Sequence, residues 1–306
     1  MNELYKRYRP KKFKDVLGQN AAVKSLAHKL KKGTLPHAIL FTGDSGCGKT
    51  TLARILAAKL NCHKSDLKLV NSSNFRGVDT IRTINTHMGF APMGGKCRVW
   101  ILDEVHKMTN DAQNAILEML EDTPKHVYFF LCTTDPQKLI KAIHTRCTEI
   151  TVKSLDDDDI EKLIMDITTK EKFKISKNVI EKIIECSEGS ARKALVFLHQ
   201  IIGLDKEKDM LALIQPPTIK TDAFKIAQSL INPRAKWVDV CKILRTCDLK
   251  EAESIRYLIL SYAQTVMLKG GNLTGRACNI IDAFRDNFYD CKSAGLVAAC
   301  YEVLEK

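Results

Sequence analysis

No run of about 18 apolar residues occurs anywhere in the chain, which excludes a membrane-spanning helix. The start, Met1-Asn2-Glu3-Leu4-Tyr5-Lys6-Arg7, lacks the apolar core of a signal peptide, so the expectation is a soluble, intracellular protein with no membrane partner. The 11 cysteines are scattered singly without one C-x-x-C pair, which argues against bound zinc and against a disulfide framework. They read as reduced, mostly buried thiols. No internal repeat or low-complexity stretch stands out. What is present is 306 residues at 45% hydrophobic content, enough for two or three ordinary globular domains. Lys plus Arg number 48 against 36 Asp plus Glu, a net charge of +12 that suits a polyanionic partner such as nucleic acid. Solvated helix faces are the plainer reading of the same lysines.

One segment carries explicit chemistry. Gly43-Asp44-Ser45-Gly46-Cys47-Gly48-Lys49-Thr50 fits G-x-x-x-x-G-K-[ST], and the short apolar run before it suits a buried parallel strand. Strand, glycine-rich turn and helix form a phosphate loop, in which backbone amides at a helix N-terminus, through Thr51, cradle the phosphates. Lys49 would neutralise the β and γ phosphates of ATP, and the Thr50 hydroxyl would ligate Mg²⁺. A second apolar run, Val99-Trp100-Ile101-Leu102, ends on Asp103-Glu104, where carboxylates at the C-terminal edge of a parallel strand face the ligand crevice. There Asp103 is placed to hold the metal through water, and Glu104 to orient or deprotonate the attacking water.

Up to about residue 153, strand-like runs at 38–41, 67–70, 99–102, 127–132 and 149–152 alternate with helical patterns at 21–32, 49–60, 78–87, 111–121 and 135–143. The expected fold is an α/β domain with a parallel sheet and helices on both faces. From Ser154 strand signals fade. Ser154 followed by Asp156, Asp157, Asp158 and Asp159 reads as a helix start, and helical patterns follow at 156–170, 177–187 and 190–203. The stretch Ile214-Gln215-Pro216-Pro217-Thr218 breaks the pattern. Amphipathic helices then fit 222–230, 233–245, 250–268, 277–287 and 293–304, with Gly270-Gly271-Asn272 as a break. The expected domains are 1–153, 154–213 and 219–306.

Further motifs resemble those of AAA+ clamp-loader ATPases. Tyr8-Arg9-Pro10-x-x-Phe13-x-Asp15-Val16-x-Gly18-Gln19 resembles their N-terminal signature. Asp103-Glu104-Val105-His106-Lys107-Met108, Cys132-Thr133-Thr134-Asp135-Pro136-Gln137-Lys138-Leu139, Thr145-Arg146-Cys147 and Gly189-Ser190-Ala191-Arg192-Lys193-Ala194 are similar to the bacterial DNA polymerase III gamma/tau subunits. The resemblance covers about residues 5–200 and implies an AAA+ P-loop NTPase domain, a small helical lid and an all-α collar domain. It implies that Thr134 is sensor 1, Arg192 the sensor 2 arginine of the lid, and Arg146 a finger reaching a neighbour's ATP site. Tyr8, Val16 and Leu17 would line the adenine pocket. The segment Asn74-Phe75-Arg76-Gly77-Val78-Asp79 with Arg82 would face duplex DNA, and Gln113 would couple DNA contact to the ATP site.

The implied function is an ATP-hydrolysing clamp-loader subunit in a homo- or hetero-oligomeric, pentameric ring. Its partners would be a sliding clamp, primer-template DNA and a DNA polymerase, in the cytoplasm of a bacterium or a phage-infected host. Three departures stand out. The four-cysteine zinc module of the bacterial subunits is missing between Cys62 and Leu67, so no zinc is expected; Glu118 replaces a basic residue; and Thr145 replaces the usual serine. A compact, phage-like form without a tethering tail is the expectation. Rival readings are another AAA+ DNA remodeller, such as a helicase loader or branch-migration motor, a non-hydrolysing stator, and a small-molecule P-loop kinase.

Overall fold

The computed structural model describes residues 3–72, 77–214, 218–247 and 249–305. The chain divides into two compact units, Met1–Ile214 and Gln215–Lys306. The first opens with a short helix α1 (Leu4–Arg7) and then α2 (Asn20–Lys32), which Gly33 closes in the left-handed conformation as its amide bonds back to Leu30. Strands and helices then alternate: β1 (Ala38–Thr42), α3 (Lys49–Lys59), β2 (Leu67–Asn71), α4 (Val78–Met88), β3 (Arg98–Asp103), α5 (Asn110–Glu121), β4 (Val127–Thr133), α6 (Lys141–Arg146) and β5 (Thr148–Thr151). Helices α7 (Asp157–Lys170), α8 (Lys177–Ser187), α9 (Ala191–Ile201) and α10 (Glu207–Leu213) complete the unit.

The five strands form one parallel sheet in the order β2-β3-β4-β1-β5. Strand β1 is buried at all five positions because helices cover both faces, which is why its sequence is continuously apolar rather than alternating. Two cores flank the sheet. Leu40, Trp100, Phe129 and Leu131 pack on one face against Ile116 and Met119 of α5, while Ile39, Phe41, Ile101 and Phe130 pack on the other against Leu52 and Leu56 of α3. In the register, Thr42 lies opposite both Thr133 and Thr151, and Asn71 opposite Asp103. The C-terminal strand ends are therefore level and face one crevice, as ligand-binding α/β sheets require.

Helices α7 to α10 have their own core of Ile160, Ile164, Ile183 and Leu198, and it includes Leu4 of α1, with Tyr5, Tyr8 and Leu17 packed alongside. The N-terminal segment thus serves as part of the helical layer. Helix α7 starts at Asp157 and is capped by Asp156, whose carboxylate accepts from the Asp159 amide at 2.8 Å. The helix expected over 135–143 is instead a 3-10 turn (Pro136–Lys138), an extended Leu139 and Ile140, and then α6. Helix α10 and α1 lie outside the expected helices.

The second unit consists of α11 (Thr218–Ile231), α12 (Trp237–Thr246), α13 (Ala252–Lys269), α14 (Thr274–Ala283) and α15 (Lys292–Glu305) around Ile226, Leu230, Ile259, Ile280 and Phe284. The helix expected from Pro233 begins at Trp237, and Gly270 ends α13 as expected. Among the described residues no helix is long and apolar enough to cross a membrane.

Asp66, fully buried, anchors the loop before β3: its carboxylate accepts from the Met93 amide at 2.9 Å and the Gly94 amide at 3.0 Å and lies 3.5 Å from the buried Arg98 guanidinium. Burial pushes this carboxyl up, but the two amides and Arg98 together outweigh it and hold it below the usual range. Asp66→Ala leaves Arg98 buried without its counter-charge and should cost about 3–5 kcal/mol in urea unfolding at pH 7. Because the folded pKa is the lower one, this contribution is present above the unfolded value of about 3.9 and fades as pH falls below it through the folded value. The stability gap between wild type and the variant should therefore narrow at acid pH.

Candidate active site

Three glycines shape the loop after β1. Gly43 has φ +138°, and a Cβ there would sit 2.0 Å from the Val152 carbonyl oxygen; Gly46 has φ +81°, and its Cβ would sit 2.2 Å from Ser190 Oγ. Both are glycine because other parts of the chain press against them. Gly48, with φ +110°, has no atom within 4 Å of a built Cβ, so that side of the loop is open to a ligand. Helix α3 begins at the next residue, Lys49, which presents the amides of its first turn to the same opening.

Lys49 is buried, and its Nζ donates to the carbonyls of Gly43 at 2.8 Å and Asp44 at 2.7 Å, so the cation is folded back over its own loop. Thr50 Oγ1 donates to Asp103 Oδ2 at 2.9 Å, which joins the two motifs across β4. Asp103 Oδ1 accepts from the Glu104 amide at 3.1 Å. Glu104 itself adopts the left-handed region, φ +57° and ψ +42°, an uncommon backbone for a residue with a side chain and one that functional sites often retain. Its Oε2 lies 3.4 Å from His106 Nε2 and 3.5 Å from Lys107 Nζ. Asp44 Oδ2 accepts from Ser154 Oγ at 2.8 Å, tying the loop to the segment that leads into α7.

Lys49, Thr50, Asp103, Glu104 and Lys107 line a cavity of about 520 Å³, within the range of about 300–1,000 Å³ usual for small-molecule sites. Its walls are the loop from Ser45 to Thr51, Asn71, Asp103, Glu104 and Lys107 at the sheet edge, Tyr5, Tyr8, Arg9, Val16 and Leu17 from the N-terminal segment, and Leu155, Leu163, Arg192 and Leu195 from the helical layer. Arg9 is held below the ordinary guanidinium range by burial and then by the nearby charges of Arg54 and Arg192. Arg54 Nε is buried without a hydrogen-bond partner, and among the described residues none of these three arginines makes an ion pair. Unbalanced guanidinium charge beside an open phosphate loop fits a polyphosphate, and Thr50 with Asp103 supplies the hard oxygen donors that Mg²⁺ takes.

Several residues important to this geometry lie outside the sequence reading of the site. Arg9 sits within a quoted motif yet lines the cavity itself, and Asn71 enters through its register beside Asp103. Thr134 follows the end of β4 and is absent from the cavity wall; its neighbour Thr133 is the one whose hydroxyl is engaged, with His106 and with the Asp135 amide. Cys47 turns into the core beneath the loop. Arg146 ends α6 away from this cavity, its guanidinium paired with Glu121 and donating to the Ala142 carbonyl at 3.2 Å.

Of the expected DNA-facing residues, Arg76 lies outside the described residues. Gly77 caps α4, and Arg82 stands exposed on that helix 3.3 Å from Asp79. Gln113 is only 2% exposed; it accepts from the Ile140 amide at 2.9 Å and donates to the Met108 and Lys138 carbonyls, which ties α5 to the segment after β4. It lies on the same face of α5 as the buried Ile116 and Leu120, a helical spacing that could have revealed its burial.

The family model described as DNA polymerase III, delta subunit matches residues 18–76 and 64–156. The DNA polymerase III subunit tau of Escherichia coli K12 is 34% identical over 221 residues, covering 65% of this chain and 34% of that protein. The tau subunit of Bacillus subtilis is 32% identical over 252 residues, 74% of this chain and 45% of that protein. The chain is similar to the bacterial DNA polymerase III gamma/tau subunits. This gamma/tau relative spans about a third of the length of the first of those proteins and under half of the second. Among solved structures, the Thermotoga maritima RuvB Holliday junction branch migration motor superposes with a TM-score of 0.59 at 17% identity, over 84% of this chain and 91% of that one. That likeness establishes the fold as AAA+. In this chain the residue 43–51 loop, Asp103-Glu104, Arg192 and the N-terminal segment all meet at one cavity.

Proposed function

We propose that the chain is an ATP-hydrolysing subunit of a sliding-clamp loader acting in DNA replication in the cytoplasm. The observation that carries this reading is the Thr50–Asp103 contact beside Glu104, at the mouth of a cavity roofed by Arg192. In the proposed mechanism ATP enters with its phosphates on the amides of residues 43–51 and its base among Tyr8, Val16 and Leu17. Lys49 leaves the Gly43 and Asp44 carbonyls and pairs with the β and γ phosphate oxygens. A Mg²⁺ held by Thr50, and by Asp103 through water, would supply charge neutralisation between those phosphates. Glu104 orients the attacking water and takes its proton, and Thr134 helps to position that water. Arg192 contacts the γ phosphate, so that the helical layer closes on ATP and relaxes on ADP.

In a ring, Arg146 of one copy would complete the site of the next. The start of α4, with Gly77 and Arg82, would grip the DNA backbone without reading its bases, together with Arg76, which lies outside the described residues. ATP binding would tighten the ring around an opened clamp and primer-template DNA, and hydrolysis would release both, leaving the clamp for a DNA polymerase.

The decisive experiment measures ATPase with a sliding clamp and primed DNA, against a four-way junction as the alternative activator. Stimulation by clamp plus primed DNA supports a loader. Stimulation by the junction alone would replace this reading with a branch-migration motor, the activity named for the structural neighbour. Lys49→Ala removes a charge-assisted contact of about 3 kcal/mol, so the affinity for a fluorescent ATP analogue should fall about 100-fold. An unchanged affinity would show that the loop does not bind phosphate.

A further inference from the structure

His106 stands beside Glu104, and the proposed mechanism leaves it unused. Its side chain is only 9% exposed, and it lies between two parts of the machinery. Nε2 is 3.4 Å from Glu104 Oε2, and Nδ1 is 3.0 Å from Thr133 Oγ1 at the end of β4. Thr133 Oγ1 in turn accepts from the Asp135 amide at 3.0 Å. We infer that His106 is a positioning residue, a neutral imidazole whose Nε2–H directs one oxygen of Glu104 and leaves the other free to take the proton from water. This inference rests on the reading of Glu104 as the general base.

Hydrogen-bond accounting leads there. A bare nitrogen lone pair facing a carboxylate oxygen is repulsive, so the nitrogen nearest Glu104 carries the proton. Burial pushes the His106 pKa down; Glu104 and Asp135 oppose that, Lys107 and Lys138 reinforce it, and the net direction is downward. A neutral ring has a single N–H, so Nδ1 is left as an acceptor and the Thr133 hydroxyl must donate to it. A directed chain results: Asp135 amide to Thr133 oxygen, Thr133 hydroxyl to Nδ1, and Nε2–H to Glu104 Oε2. Lys107 Nζ approaches that same oxygen at 3.5 Å. Both donors converge on Oε2, which leaves Oε1 as the oxygen able to accept from water. The 3.4 Å separation is long for a hydrogen bond, and catalytic contacts of this kind commonly tighten once substrate is bound. The chain also joins the base to the end of β4, so a shift of the residues around Thr134 would be felt at Glu104.

The test has a spectroscopic and a kinetic arm. In protein labelled with ¹⁵N-histidine, His106 at neutral pH should show the tautomer protonated at Nε2, and Thr133→Val should abolish that preference. His106→Phe keeps the volume without the donor and should lower kcat about 100-fold, the penalty typical of a small misplacement, while ATP KM changes less than about twofold. His106→Gln, which can still donate, should recover most of the rate. If His106→Phe does not fold, Thr133→Val gives the same kinetic comparison with the ring retained. An Nδ1–H tautomer, a kcat unaffected by loss of the donor, or a KM that rises as far as kcat falls overturns the inference. Wild-type protein that fails to hydrolyse ATP would sink the proposed function instead, and the tautomer measurement still decides the hydrogen-bond chain.

Discussion

Replacing Arg146 with alanine is expected to lower ATP turnover by the assembled ring about 10³–10⁵-fold while leaving ATP binding intact. The reason is positional. Arg146 ends α6 and takes no part in the wall of its own subunit's cavity, so it can serve catalysis only from outside. Its guanidinium is about one-third exposed, at 32%, and rests against Glu121, itself half exposed. A surface pair of that kind contributes about 0–1 kcal/mol, so the arginine can exchange Glu121 for a neighbour's γ phosphate at little cost. The fork geometry and permanent charge of guanidinium suit that transfer. Steady-state ATPase with clamp and primed DNA is the measurement. Unchanged turnover in the Arg146→Ala assembly would remove the finger from the mechanism.

Glu104→Gln should lower kcat about 10²–10⁴-fold, the usual contribution of a positioned general base, with ATP affinity unchanged. The amide keeps the volume and cannot take a proton. Rapid-quench single-turnover assays, which separate binding from chemistry, provide the check, and a rate within a few-fold of wild type would show that another group activates water. The two variants also make a joint prediction. If the ring is homo-oligomeric, mixing inactive Arg146→Ala with inactive Glu104→Gln should restore part of the activity, because the second lends its intact arginine to the first one's intact base. No recovery on mixing would mean that base and finger act within one subunit.

Much of the candidate site was legible in the chain because it is written locally. The phosphate loop needs glycines at fixed offsets and a Lys-Thr pair at a helix start, so residues 43–50 could be read without knowing where they lie. Asp103 and Glu104 were legible because a short apolar run reports a buried strand and its last residues report the sheet edge. Failures came where local pattern competes with nonlocal contact. Residues 135–143 have helical spacing, yet Leu139 and Ile140 stay extended, and the Ile140 amide is bonded to the buried Gln113 side chain rather than within a helix. The depth of Gln113 was set by packing of α5 on the sheet. Ser154 looked like a helix cap, but its hydroxyl bonds Asp44, 110 residues away.

The amino-acid sequence by itself determined which functional groups exist and how each motif bends: a glycine-rich loop before a Lys-Thr pair, a carboxylate pair after a strand, an arginine near a helix start, a basic surplus. Only the tertiary structure decided which groups meet. Thr50 reaches Asp103 because β4 lies between β1 and β3 with level C-terminal ends, and Leu4 anchors the N-terminal segment in the helical layer while Tyr5 and Tyr8 wall the cavity. It also decided that His106 faces Thr133, a neighbour 27 residues on. The physical reason is that hydrophobic periodicity specifies which face of an element is buried, whereas strand order and side-chain pairing depend on burial summed over distant segments.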